Sequence, residues 1–192
     1  MSISYYENLP SNWSLVTLGM ISQLITKGTT PRGGNVAYVE SGIGFLRAEN
    51  VMGYDQLFLE NLKFIDEETH QSFLKRSILH EGDMLITIAG TLGRTAIVRE
   101  NDLPLNTNQA IAIVRPVDYT LVDIRYIIFA LNATNVSKSL LHQEVAMAIP
   151  NLSLENISDC IIPFPPLSEQ HRIVAAISEL FNTLENIEGN LN

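Results

Sequence analysis

Hydrophobic residues near the carboxyl end of the chain recur at the spacing of a helix with one narrow apolar stripe. Successive members lie four, three, four, three and four residues apart: Ile173, Ile177, Leu180, Leu184, Ile187 and Leu191. This a/d spacing predicts a coiled-coil helix. Ser168, which follows Pro166, is a favoured capping residue and predicts where the helix begins. The stripe needs a partner from its own globular part, a second copy or another protein, and its narrowness and terminal position favour an intermolecular seam.

Elsewhere in the chain, short β-branched runs alternate with polar turns. Residues 84–88 have the composition of a buried strand. Further strands are predicted over 44–51, 94–99 and 110–114. Short helices are predicted over 66–74, 121–133 and 153–157, and a strand leading into a short helix over 13–26.

These patterns together predict one α+β fold. We expect a mostly antiparallel, twisted sheet with flanking short helices over residues 1–165, and a long coiled-coil helix over residues 166–192. The 192 residues, 46% hydrophobic and 17% charged, suffice for a real core and exclude general disorder. The apolar runs are too short for a bilayer and the polar start does not resemble a signal segment, so a cytoplasmic location is expected.

The charge of the chain argues against binding to nucleic acid by bulk electrostatics. Twelve Lys and Arg residues stand against 21 Asp and Glu residues, which gives a formal net charge of -9. Residues 138–192 hold two of the basic and seven of the acidic side chains, so much of the negative excess lies near the carboxyl end. Any contact with nucleic acid must therefore be local.

No pattern of catalytic or metal-binding residues stands out in the sequence. The four histidines lie on separate predicted elements, and the loop that begins at Gly28 lacks the order of a phosphate-binding loop. The chain has no G-x-S-x-G motif, and its single cysteine, Cys160, lies in an apolar segment and cannot form an internal disulfide. No motif in the sequence therefore supports an enzymatic activity, and we expect no metal and no cofactor on this chain. An unrecognised hydrolase or transferase stays open as an alternative.

Small polar and basic residues gather in the predicted turns. Arginine fits guanine, asparagine and glutamine fit adenine edges, and threonine takes phosphate groups, as reading of double-stranded DNA requires. The candidate DNA-binding residues are Thr29, Thr30, Arg32, Arg47, Asn50, Lys75, Arg76, Thr91, Arg94, Asn108 and Gln109. The alternative is that the basic side chains are only solvated and that the polar link 106–109 satisfies backbone groups.

Several segments, taken in order, resemble the specificity subunit of type I restriction-modification systems. They include Lys27-Gly-Thr-Thr-Pro31, Glu81-Gly-Asp-Met-Leu-Ile86 and Gly90-Thr-Leu-Gly-Arg94. The most specific is Ile162-Pro-Phe-Pro-Pro-Leu-Ser-Glu-Gln-His-Arg-Ile-Val174, which is similar to the family's entry into its conserved helix. The resemblance implies a target recognition domain that reads one half of a split DNA site, followed by a spacer helix.

The resemblance also implies partners and a division of labour. The family's specificity subunit performs no chemistry, its modification subunits use S-adenosylmethionine to methylate adenine, and its restriction subunit cuts DNA. Family members normally carry two recognition units, whereas this sequence holds one and looks like a half-length or truncated form. We therefore expect a homodimer through the carboxyl-terminal helix. The alternative is a coiled-coil scaffold that engages modification subunits without productive DNA reading.

Overall fold

The computed structural model describes residue 6 and residues 9–33, 37–142 and 151–189. The strands are β1 Ser14–Thr17, β2 Ser22–Lys27, β3 Ile43–Leu46, β4 Val51–Gly53, β5 Gln56–Leu57, β6 Lys63–Ile65, β7 Met84–Thr87, β8 Thr95–Ile97, β9 Leu105–Thr107, β10 Ile111–Pro116 and β11 Ile161–Phe164. The helices are α1 Glu67–Gln71, α2 Ile124–Asn132, α3 Thr134–His142, α4 Leu154–Ser158 and α5 Leu167–Gly189. This is the expected α+β class, with mostly antiparallel pairing.

The largest sheet has the strand order β2-β10-β7-β8 and is antiparallel throughout. Strands β7, β8 and β10 are almost entirely buried, which explains their apolar runs, whereas the edge strand β2 is half-buried to exposed. In β10, Ala112 and Val114 pack into the main core with the helices, while Ile111 and Ile113 pack into a second core on the other face. The strand thus holds the two halves of the molecule together.

Smaller sheets extend this framework on its two sides. Strands β6, β3 and β9 form a three-stranded sheet in which β3 and β9 are parallel, and β1 pairs with β11. The predicted strand over 44–51 is wrong beyond Leu46, because Ala48–Asn50 forms a 3-10 helix. The turn is stabilised by the Asn50 side chain, whose Oδ1 accepts the backbone N–H of Arg47 at 2.8 Å.

The short helices begin where capping residues occur. Asp66 accepts the N–H of Thr69 at 2.7 Å at the start of α1, and Ser153 accepts the N–H of Asn156 at 3.0 Å at the start of α4. Helix α2 begins later than its apolar pattern predicts, because Asp123 accepts the N–H of Arg125 at 2.9 Å and so caps it. Helix α3 was not predicted from the sequence.

The long helix α5 confirms the predicted element but not its first residue. It begins at Leu167, and the carbonyl of Pro166 accepts the N–H groups of Glu169 and Gln170 at 2.8 and 3.1 Å. Ser168 therefore lies inside the first turn and the prediction that it caps the helix is wrong. None of the described helices is long and apolar enough to cross a membrane.

Candidate nucleic-acid interface

Loops from several elements meet at one end of the four-stranded sheet. The register pairs Lys27 of β2 with Ala112 of β10, and Ile111 of β10 with Thr87 of β7. The loop after β2, the turn after β7 and the residues before β10 therefore lie at the same end of the sheet. We call this the basic end; it comprises residues 27–32, 47, 72–76, 90–94 and 108–110.

Hydrogen bonds join the first loop to the segment that follows α1. Arg76 donates from Nε and Nη2 to Oγ1 of Thr29, at 3.2 and 2.8 Å. The hydroxyl of Thr30 bonds to Oε1 of Gln109, and the backbone N–H of Thr29 donates to the carbonyl of Thr107 at 3.0 Å. Thr29, Thr30, Arg76 and Gln109, proposed separately from the sequence, are therefore direct neighbours.

Gly28 permits this close packing. A Cβ atom at Gly28 would lie 2.2 Å from the carbonyl oxygens of both Thr107 and Asn108. Only glycine allows the backbone of the first loop to approach the residues before β10 so closely. The Lys27-Gly28-Thr29 sequence thus has a packing role besides its polar character.

An aromatic contact positions the second basic residue of the first loop. The guanidinium carbon of Arg32 lies 4.7 Å from the ring centroid of Phe73, in cation–π geometry. Phe73 is partly exposed, and Lys75 on the same segment is exposed. Sequence reasoning missed Phe73, because no local pattern signals a contact between residues 41 positions apart.

The turn between β7 and β8 brings Thr91 and Arg94 to the basic end. The hydroxyl of Thr87 bonds to the carbonyl of Thr91 and accepts the N–H of Arg94 at 2.9 Å. The Arg94 side chain is half-buried, with Nη1 3.4 Å from the carbonyl of Val51. Thr91 is exposed, so its hydroxyl is accessible to a ligand.

The remaining candidate DNA-binding residues differ in how accessible their polar groups are to a ligand. Asn50 is 1% exposed, and its amide donates to the carbonyl of Phe58 at 3.0 Å in addition to holding Arg47. This side chain shapes a loop and presents no polar group to the surface. Arg47 is half-buried and pairs with Glu49 at 2.6 Å, while Asn108 accepts the N–H of Ala110 at 3.0 Å.

Charge is divided between the two ends of the sheet. Half of the twelve basic residues belong to the basic end: Lys27, Arg32, Arg47, Lys75, Arg76 and Arg94. The opposite end, where β7 starts and where β8 and β10 finish, carries Glu81, Asp83, Glu100, Asp102 and Asp118 against the two basic residues Arg99 and Arg115. The net charge of -9 therefore conceals a local concentration of cations.

The described residues offer little for catalysis by a metal or a thiol. No group of three or more His, Cys, Asp or Glu side chains within the described ranges is placed to hold a metal ion. Burial raises the pKa of Cys160 to about 12, which keeps the thiol protonated near neutral pH.

The predicted seam of α5 divides into two parts. Ile173 and Ile177 are half-buried, and Ile173 packs against the main core. Leu180, Leu184 and Ile187 are exposed, at 65%, 56% and 52%. Leu191 lies outside the described residues.

A second face of α5 holds the helix to the body and was missed from the sequence. Gln170 is fully buried, and Val174 is 7% exposed. Further along, the ring of Phe181 lies 6.3 Å from those of Phe129 and Tyr54. The first half of the helix is thus docked on its own domain, while Leu180, Leu184 and Ile187 face solvent.

Comparisons with known proteins show the family of the chain. Residues 10–192 match the family described as the type I restriction modification DNA specificity domain. The chain is 27% identical to the type I restriction enzyme EcoBI specificity subunit of Escherichia coli, covering 98% of this chain and 39% of that protein. It is 22% identical to the MjaIX specificity subunit of Methanocaldococcus jannaschii, covering 93% of this chain and 40% of that protein. The chain thus spans about two fifths of the length of these curated relatives.

Solved structures share the fold. The crystal structure of the HsdS subunit from Thermoanaerobacter tengcongensis superposes with a TM-score of 0.70 at 22% identity, covering 95% of this chain and 41% of that one. A chain from a study of complex assembly and conformational transition of the type I R-M system gives a TM-score of 0.73 at 21% identity, covering 95% and 42%. Because the family match extends over residues 10–192, the chain belongs to the type I restriction-modification DNA specificity family.

Proposed function

We propose that this protein reads one half of a bipartite DNA site and directs adenine methylation and DNA cleavage by partner subunits. In this proposal residues 1–165 form the target recognition domain and residues 166–192 the spacer helix. The chain itself performs no chemistry and holds no cofactor, and S-adenosylmethionine binds to the modification subunit. A restriction subunit supplies cleavage.

One observation carries the proposal: residues chosen for DNA-reading chemistry converge on the basic end from five separate segments. Thr29, Arg76 and Gln109 belong to three different loops and lie within one hydrogen-bonded group. Arginine forks, an amide and hydroxyls at one surface supply both phosphate contacts and base-edge contacts. Asn50 is left out of this reading surface because its amide is already used inside the fold.

The helix supports the second part of the proposal. Leu180, Leu184 and Ile187 form an exposed apolar stripe beyond the docked half of α5. In the proposal this stripe pairs with the same stripe of a second copy, which gives a two-fold symmetric dimer and a symmetric split site. The modification subunits bind along the paired helices.

The test begins by mapping methylated adenines in cells that carry this chain with a modification subunit. A duplex bearing the mapped site then serves as the probe for binding. Replacing Arg32, Arg47 and Arg94 together by Ala should weaken binding about a hundredfold or more, because each lost contact costs about 1–3 kcal/mol. Assembly with the modification subunit should be unchanged.

A matched variant controls for the loss of three positive charges. Arg99, Arg125 and Arg172 are exposed and lie outside the basic end. Their joint replacement by Ala changes the net charge equally and should reduce affinity far less. Equal losses in the two triple variants would contradict the assignment of the reading surface.

The second candidate function is a scaffold that engages modification subunits without productive DNA reading. The exposed stripe of α5 is the observation that favours it. For a scaffold, the Arg32, Arg47 and Arg94 variant assembles normally and the mapped methylation pattern does not depend on this chain. Methylation that changes with the presence of this chain contradicts the scaffold.

A further inference from the structure

A buried polar pair lies directly behind the basic end. Asn106 of β9 is fully buried, and His70 of α1 is 3% exposed. The Asn106 amide nitrogen is 3.1 Å from Nδ1 of His70 and 3.2 Å from the carbonyl of Leu74, while its Oδ1 accepts the N–H of Thr107 at 2.8 Å. The pair thus connects α1, β9 and the segment that carries Phe73 and Arg76.

The hydrogen bonds determine which nitrogen of His70 carries the proton. The N–H of Thr107 requires an acceptor and the carbonyl of Leu74 requires a donor, so the Asn106 amide has one satisfactory orientation. Its second amide hydrogen then points at Nδ1 of His70, which must accept and cannot carry a proton. His70 is therefore neutral, with its proton on Nε2.

The same strand, β9, anchors two of the segments of the basic end, the loop 27–32 and the segment 72–76. The side chain of Asn106 holds the carbonyl of Leu74, between Phe73 and Arg76. The next residue, Thr107, accepts the backbone N–H of Thr29. We propose that the neutral His70–Asn106 pair positions these two loops for DNA contact, and that protonation of His70 releases them. This inference rests on the proposed function, since it concerns how the same surface is kept in shape.

The surroundings of His70 favour its neutral form. Burial lowers the pKa of the imidazole, and Glu67 on the same helix partly opposes that shift. The Asn106 amide that bonds to His70 is uncharged, and so is the Leu74 carbonyl to which that amide also donates. Lys75 and Arg76 of that segment are exposed, and Arg76 bonds to Thr29. On acidification, a second proton binds to Nδ1 of His70. This N–H then faces the N–H groups of the Asn106 amide, and the hydrogen bond between the two side chains is lost.

The pH dependence distinguishes this mechanism from ordinary electrostatics. A fall in pH makes the net charge of any protein more positive. Ordinary electrostatics therefore strengthens binding to DNA on acidification. Release of the loops by protonated His70 has the opposite sign and weakens binding.

Two variants isolate the role of His70. His70→Asn places Oδ1 where Nδ1 of the imidazole lies, so it retains an acceptor for Asn106 but cannot titrate. His70→Leu keeps a side chain of similar bulk but removes the acceptor. Circular dichroism and thermal unfolding establish that each variant is folded before binding is measured.

The experiment measures binding of the full chain, assembled with its modification subunit, to the mapped duplex at about pH 7.5 and about pH 5.5. We expect the wild-type affinity to fall on acidification, because protonated His70 can no longer accept the Asn106 amide hydrogen. His70→Asn should bind as tightly at the lower pH as at the higher or more tightly, and His70→Leu should bind weakly at both. Equal pH dependence in the wild type and His70→Asn would overturn the proposal.

Nitrogen-15 NMR of the imidazole tests the pair without DNA. At neutral pH we expect Nδ1 of His70 to be unprotonated and Nε2 to carry hydrogen; a protonated Nδ1 would overturn the inference. If the wild type binds the mapped duplex no better than an unrelated duplex at either pH, the proposed function fails. The NMR result still decides whether the neutral pair exists in that case.

Discussion

Replacing Gln170 by Ala should remove the hydrogen bonds that hold the start of α5 on the globular body and so lower the free energy of unfolding. Gln170 is fully buried, and its side chain accepts the N–H of Asp123 at 2.9 Å and donates to the carbonyls of Pro165 and Leu121 at 2.9 and 3.4 Å. The alanine variant leaves at least the Asp123 N–H and the Pro165 carbonyl without partners. Each unsatisfied buried group costs about 1–3 kcal/mol, so the free energy of unfolding should fall by about 2–6 kcal/mol.

Urea unfolding followed by circular dichroism measures this loss. Gln71→Ala is a matched control, because Gln71 is exposed on α1 and makes one side-chain bond, to Glu67 at 3.0 Å. Its replacement should cost less than about 0.5 kcal/mol. If Gln170→Ala costs no more than this control, the reasoning that Gln170 docks the helix is refuted.

Three further predictions concern the helix, the sheet and the thiol. Charged residues at both Leu180 and Leu184 should give monomers in light scattering, whereas an unchanged oligomer would contradict the seam. Asp83→Ala should lower the free energy of unfolding by about 3–5 kcal/mol in urea, because the fully buried Asp83 pairs with Arg115 through two bonds of 2.7 and 2.8 Å. Cys160 should resist alkylation at about pH 8 until urea unfolds the chain, since burial raises its pKa to about 12; rapid native-state labelling would contradict this.

The parts of the fold that depend on local chemistry were predictable from the sequence. The helix predicted over 66–74 begins as expected, and Asp66 caps it, although α1 ends already at Gln71. The a/d spacing indicated α5, although its cap was misplaced by two residues, because Pro166 and not Ser168 precedes the first helical residue. Short-range hydrogen bonds and helical periodicity act between neighbours in the chain and so leave a local pattern.

The arrangement of the candidate interface depends on contacts between distant residues. Residue types suggested Arg32 and Arg76 as DNA-binding residues, but nothing local indicated that Arg32 stacks on Phe73. The burial of Asn50 could not be predicted either. An asparagine that stabilises a loop and an asparagine that contacts a base are flanked by the same kinds of residue. Such distinctions are set by tertiary packing.

Because cations are in excess at one end of the sheet and carboxylates at the other, the molecule has an electric dipole. A polyanion exerts a torque on such a body as well as a net force, and the torque turns the positive pole toward the polyanion before contact. A protein with an overall negative charge can therefore arrive in one preferred orientation, and salt should slow its arrival by screening that torque.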